Sequence, residues 1–207
     1  MSRTQFSRLA AATAVLSMAV WTNAQDRAKP MRGSDANSVI QSWKSMPREV
    51  AQKMIARCGE PYEVASQRLV WHRNGNWKTT ELVNEEIPHD FPMPHKDMLK
   101  QTIAYRIDSD RADDLLAYDG SVILERTKGE IAARCDKEEA NFLAINLAHD
   151  VATGQRSVDD ARKFYAESIM AMMKGQTNDY LKGFRFAVRG GDQGDRDKPF
   201  GPSTPRR

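Results

Sequence analysis

No acidic residue occurs before Asp26, and no stretch of the chain is apolar for long enough to cross a bilayer, which takes roughly 20 residues. A cytosolic amphipathic helix would mix acids among its cations, so the missing acids argue against one. What is present instead is a positive start with Arg3 and Arg8, then the apolar run Leu9 to Trp21 (LAAATAVLSMAVW), then Thr22, Asn23 and Ala24. That order predicts a secretory signal peptide over 1–24, cleaved between Ala24 and Gln25. No cysteine stands near that point, which excludes lipid attachment to an N-terminal cysteine. The expectation is a bacterial envelope protein that is periplasmic or secreted, with no transmembrane segment in the mature chain.

Charge of one sign is also scarce. The chain carries 31 Lys and Arg against 28 Asp and Glu. Losing Arg3 and Arg8 with the signal leaves a net charge of about +1. Such balance excludes nucleic acid as a partner, because phosphate recognition needs a net basic face. No GxSxG, HExxH, CxxC or P-loop pattern occurs, so no catalytic residue is assigned from a motif. Cys58 and Cys135 are the only cysteines. An oxidising compartment would let them pair, and both are expected to look inward, Cys58 from the apolar face of a helix and Cys135 from a sheet. They form the candidate disulfide, with a pair of free core thiols as the alternative.

Residues 25–34 are polar with Pro and Gly and read as a flexible leader. Residues 189–207 (RGGDQGDRDKPFGPSTPRR) hold one large apolar side chain, Phe200, and read as a disordered tail that buries too little to offset its ordering entropy. Residues 35–188 are expected to form a single α+β domain. Asp35 to Trp43 suits a short helix. Ser45 to Cys58 suits a longer one, with Pro47 in its first turn and Gly59 as its C-cap. Arg68 to Val83 reads as a hairpin turning at Asn74-Gly75, which puts His72 opposite Trp77. Lys100 to Ile107 alternates as a strand. Ser109 to Tyr118 suits a helix, and Ser121 to Cys135 a second hairpin turning at Lys128-Gly129.

Two capped helices follow. The first starts at a capping box of Asp136 and Glu139, runs on the stripe Ala140, Leu143, Ala144, Leu147, Ala148 and Val151, and ends at Gly154. The second starts at Ser157 and Asp160, carries Ala161, Phe164, Tyr165, Ser168, Ile169 and Met172, and ends at Gly175. Three residues join them, so they should pack as a helical hairpin. Phe184 to Val188 suits a last strand. The predicted architecture is a small antiparallel sheet with helices packed on one face and a C-terminal helical hairpin.

The stretches CGEPYEV and RLVWHRNGNW resemble the helix–Gly-x-Pro–strand–Trp unit of SmpA/OmlA-type envelope modules, without their lipid-bearing cysteine. The run YDGSVILERTKGEIAARCDKEEANFLAINLAHD, with WHRNG and FPMPH, resembles an uncharacterised family of exported bacterial proteins over most of the mature chain. That resemblance implies no activity. It puts Tyr at the place of Cys58, which counts against the disulfide.

The chain has four histidines. His89 and His95 bracket the Pro-rich loop HDFPMPHKDM, which reads as a rigid connector. With Met93 and Met98 they offer imidazole and thioether, donors that suit copper, although no cofactor is predicted. His72 and Trp77 can line a ligand cleft or simply pack across strands. His149-Asp150, late in a helix, reads as structural. Glu125, Glu130 and Asp136 are expected to be solvated or to pair with Arg126 and Arg134. Met170, Met172 and Met173 suit core or contact surface. The resulting expectation is a binding or interaction module with His72, Trp77, His89 and His95 as binding residues, its partner an envelope protein or a small ligand. The rivals are a periplasmic hydrolase using His72, His89 or His95, and a copper-binding protein.

Overall fold

The computed structural model describes residues 35–201. The expected signal peptide, the leader and residues 202–207 lie outside them.

Helices α1 (Ala36–Ile40) and α2 (Ser45–Cys58) come first. Strands β1 (Glu63–Ala65), β2 (Arg68–Asn74), β3 (Trp77–His89) and β4 (His95–Ala104) follow as a meander. A 3-10 turn over Ser109–Arg111 leads into α3 (Ala112–Tyr118), then β5 (Val122–Glu125), β6 (Glu130–Cys135), α4 (Glu138–Ala152) and α5 (Val158–Met173). The six strands form one antiparallel sheet in the order β1-β2-β3-β4-β6-β5. The α+β architecture is therefore as the hydrophobic periods indicate.

Register decides which side is buried, because side chains alternate across a strand. One row runs Leu69, Leu82, Leu99, Cys135 and the next Trp71, Thr80, Gln101, Ala133, Val122. All of these are buried. The alternating rows carry His72, Thr79, Thr102 and Val70, Glu81, Lys100, Arg134, a largely polar set on the uncovered face. The helices thus sit on one face, in two groups. Helices α1 and α2 pack with Leu69, Trp71, Leu82, Met98 and Leu99. Helices α3, α4 and α5 pack with Trp77, Ile103, Val122, Ile131 and Ala133. A buried polar row separates the groups: Thr80 accepts from Gln101 at 3.2 Å, and Asn141 donates to Gln101 Oε1 and to the Leu99 carbonyl, both at 3.0 Å.

Both hairpins turn one step away from the expected place. Asn74 pairs with Trp77, so the turn is Gly75-Asn76, and His72 faces Thr79 rather than Trp77. Arg73 takes a left-handed φ of 51° just before it. Asn74 is then held inward, its Oδ1 accepting from Thr80 at 2.9 Å and its Nδ2 meeting Cys58 Sγ at 3.5 Å. In the second hairpin Glu125 pairs with Glu130, leaving residues 126–129 as a four-residue turn in place of the two-residue one. Each shift moves the register by two residues, and at the tip of the first hairpin Asn74 and Trp77 turn inward, away from the face that His72 and Thr79 share.

Helix α4 starts after Lys137 with no side-chain cap, so the expected Asp136–Glu139 capping box is not formed. Glu138 is used elsewhere, as described below. Helix α5 does begin as expected, with Ser157 accepting from the Asp160 N–H at 3.1 Å. Helix α4 is buried well beyond its predicted stripe. Phe142, Ile145 and Asn146 are also covered, because the segment after α5 returns over that flank. Asn146 donates to the carbonyls of Tyr180 and Gly183 and accepts from the Arg185 N–H at 2.7 Å. This segment is no strand: Phe184 and Phe186 pack as aromatic anchors against Trp77, Phe142 and His149.

The candidate disulfide is not formed, and Cys58 and Cys135 are both thiols. Cys58 meets β2 through Asn74, while Cys135 stands on β6, with β3 and β4 between. Strands lie roughly 4.8 Å apart, so that separation exceeds the reach of an S–S bond. The first part of the expected disordered tail meets the domain. The Asp195 N–H donates to the Arg126 carbonyl at 2.9 Å, and Arg126 pairs with Asp195 and Asp197. A Cβ on Gly129 would collide with the Gln193 backbone, so this approach requires glycine there.

Candidate functional site

Strands β3 and β4 extend into the loop that looked like a connector, and His89 pairs directly with His95 across them. The bend holds residues 90–94, with a cis Phe91-Pro92 bond. The pairing puts the two imidazoles side by side, ring centres 4.9 Å apart. Asp97 lies two residues beyond His95 on the same strand face and is 1% exposed. Ser121 precedes β5, and Cys135 ends β6 beside β4, so four segments meet here.

The contacts converge on Asp97. Its Oδ2 accepts from the Ser121 hydroxyl and lies 3.2 Å from His89 Nδ1. Its Oδ1 lies 3.1 Å from His95 Nε2 yet takes no aligned hydrogen bond. His95 Nδ1 sits 2.9 Å from the Met93 carbonyl, which can only accept, so this nitrogen carries a proton. Cys135 Sγ is 3.7 Å from His95 Nε2. His89 Nε2 faces Asp119 Oδ1 at 3.5 Å, and that oxygen accepts from the Ser121 N–H at 2.8 Å. Burial raises the Asp119 carboxyl above its ordinary range. Asp97, and after it Cys135, push the His95 imidazole up to about 11. Burial pushes the Cys135 thiol up as well.

Cys135, His95 and Asp97 make no nucleophile–base–orienter array, and Ser121, whose Oγ lies 3.1 Å from His89 Nδ1 while Asp119 lies 3.5 Å from His89 Nε2, gives its hydroxyl proton to Asp97. Cys135 and Asp97 both face the same nitrogen of His95, whereas such catalysis needs them on opposite nitrogens. The arrangement suits a positive charge: ligand atoms of His89, His95 and Asp97 lie within 4.8 Å of one another. The imidazole–thioether set is not assembled. Met93 reaches His95 through its carbonyl, and Met98 is buried in the core beneath α2.

A second location takes up the other two expected residues. His72 and Trp77 line one cleft of about 420 Å³, although they are not cross-strand partners. Arg57, Tyr62, Trp71, Glu138 and Lys182 line it too. The Trp77 indole donates to Glu138 Oε1 at 2.6 Å, Gln101 donates to the same oxygen at 3.2 Å, and Arg57 pairs with Oε2. Trp71 is fixed by its indole N–H on the Gly59 carbonyl at 2.8 Å. His72 meets Glu63 at 3.0 Å and the edge of Tyr62 at 5.1 Å between ring centres.

His149 packs among aromatic side chains and lines a separate cleft of about 400 Å³. Its Nδ1 lies 2.9 Å from the Tyr105 hydroxyl, its ring stacks on Phe186 at 4.0 Å, and burial lowers its pKa. The hairpin acids pair with lysines rather than with Arg126 and Arg134: Glu130 with Lys78, Glu125 with Lys128, and Asp136 with Lys137. Met170 and Met173 are exposed, and Met172 packs on the core.

Sequence reasoning missed Asp97, Asp119 and Ser121 in the cluster, and Arg57 and Glu138 in the cleft. One signal was available. In His95-Lys96-Asp97 the period of two puts imidazole and carboxylate on one strand face. Comparison with family profiles, with curated proteins and with solved structures finds no match.

Proposed function

We propose that this chain is an exported envelope protein, periplasmic or secreted, that binds a small organic ligand in the His72–Trp77 cleft without transforming it. The observation that carries the reading is the fixed lining of that cleft. Its volume falls in the range of small-ligand sites, roughly 300–1,000 Å³. Aromatic surface from Tyr62, Trp71 and Trp77 is combined with charge from Arg57 and Lys182, which suits a flat ligand with an anionic end. Glu138 is already held by Trp77, Gln101 and Arg57, so it is committed to shape and is not a free base. Export rests on the order of residues in 1–24 and agrees with the exported family that the chain resembles.

The test uses mature protein and a panel of aromatic and heteroaromatic carboxylates. Binding read by tryptophan quenching and thermal shift, and weakened at least tenfold by Arg57→Ala and His72→Ala, supports the reading. Turnover of chromogenic ester or phosphate substrates that disappears in His72→Ala would replace it with the hydrolase. The 3.0 Å contact between His72 and Glu63 is the observation that favours that second reading. Fractionation and intact mass test export: a cytoplasmic protein retaining 1–24 ends it.

A further inference from the structure

We propose that His89, His95 and Asp97 form a binding site for a divalent transition metal of the zinc class, separate from the cleft. The argument begins with the nitrogen atoms. A histidine that ligates a metal commonly donates its other ring N–H to a carbonyl or carboxylate, which fixes the tautomer. Here one histidine makes that bond and the other faces a carboxylate at longer range. His95 Nδ1 is on the Met93 carbonyl at 2.9 Å, and His89 Nε2 faces Asp119 at 3.5 Å. The ring nitrogens left over, His95 Nε2 and His89 Nδ1, both face Asp97, and His89 Nδ1 also lies 3.1 Å from the Ser121 hydroxyl; a metal ion would displace the proton that His95 Nε2 holds toward Asp97.

Asp97 is divided in the same way. Its Oδ2 is taken by the Ser121 hydroxyl. Its Oδ1 takes no aligned hydrogen bond from the described residues and has the His95 imidazole beside it at 3.1 Å, on a side chain that is 1% exposed. Such an oxygen is costly to bury and calls for a cation. Ligands about 2.1 Å from a tetrahedral ion stand roughly 3.4 Å from each other. His95 Nε2 stands 3.1 Å from Oδ1 and His89 Nδ1 stands 3.2 Å from Oδ2, and one ligand atom from each of the three residues lies within 4.8 Å of the others. A small adjustment therefore closes three ligands on one ion and leaves a fourth position for water.

The donor chemistry selects the ion. Two imidazoles and one carboxylate suit zinc and its neighbours, while calcium and magnesium prefer oxygen alone. No thioether joins the set, which disfavours copper(I). The histidines are 16% and 20% exposed, so an ion can enter from solvent.

The test is made on full-length mature protein stripped with chelator. Isothermal titration with Zn²⁺ should give one equivalent. Affinity should fall at least tenfold in His89→Ala, in His95→Ala and in Asp97→Asn, with His149→Gln unchanged. A second readout needs no variant. In long-range ¹H–¹⁵N spectra of the wild type, Zn²⁺ should shift His89 Nδ1 and His95 Nε2 and leave His72 and His149 in place. Substoichiometric binding, or one equivalent whose spectrum moves His72 or His149 instead, overturns the proposal. Ligand binding in the cleft is read separately by fluorescence, so either result stands without the other.

Discussion

The indole of Trp77 and the carboxylate of Glu138 are joined at 2.6 Å across 61 residues of sequence, tying the start of β3 to the first turn of α4. Removing the acceptor strands the Trp77 Nε1 donor and one of the two hydrogens of Gln101 Nε2, the other staying on Thr80. Glu138→Ala is expected to lower stability by about 3 kcal/mol in urea unfolding. Trp77→Phe keeps the ring and loses only the donor, so it should cost less. Equal costs would mean that the bond contributes little beyond packing.

Cys58 and Cys135 are both thiols, and they differ in access. Denatured, unreduced protein should titrate two thiols per chain. In the native state Cys58, half-buried, should label ahead of Cys135, which is buried and whose thiol is raised above its ordinary pKa by desolvation. Zero thiols would restore the disulfide.

His149 carries a pH dependence with a definite sign. Burial lowers its pKa from 6.5, so below 6.5 the unfolded chain binds more protons than the folded one. Its contribution to stability is present above 6.5 and is lost as pH falls through the depressed value. The His149 ring resonance should titrate below 6.5, and His149→Gln should flatten the acid limb of the stability profile. A midpoint at 6.5 or above would contradict the buried setting. The Tyr105 hydroxyl beside it, pushed up to about 12 chiefly by burial, should stay protonated throughout.

Gly129 has a φ of 65° and lies against the backbone of Gln193. Gly129→Ala should cost about 1 kcal/mol from backbone strain and release the segment around Asp195 from the turn. Limited proteolysis checks the second effect: cleavage near Gln193 should quicken in the variant while the domain stays resistant. An unchanged digestion pattern would show that this contact does not hold the segment.

The parts of this fold that the chain's own pattern reveals are those governed by local periods. Helix α2 follows from Pro47, Val50, Met54 and Gly59, and α5 from Ser157 and its apolar stripe. The turns were harder. Asn74-Gly75 is a favoured pair, but Asn74 is captured by Thr80 and Cys58, a tertiary contact that no dipeptide preference encodes. The His89–His95 site was half legible. Pro88, Pro92 and Pro94 suggested a loop, and strand pairing overrode them. Ser121 and Cys135 arrive from 24 and 40 residues away, and only the sheet order β4-β6-β5 brings them there. For the cleft, His72 and Trp77 line the same wall without being cross-strand partners.

The row Thr80, Gln101, Glu138 and Asn141 runs between the two apolar groups on the covered face. Its bonds are directional and break together, whereas apolar contacts yield gradually. The α1–α2 half and the α3–α5 half are therefore expected to behave as two cooperative units sharing a seam, and the first, with fewer buried side chains, should open the more often. Amide exchange should divide at Gln101, with protection lower on the β1–β2 side. Gln101→Leu should lower that protection further while leaving the α4 amides slow, so the seam is where this molecule would come apart without unfolding.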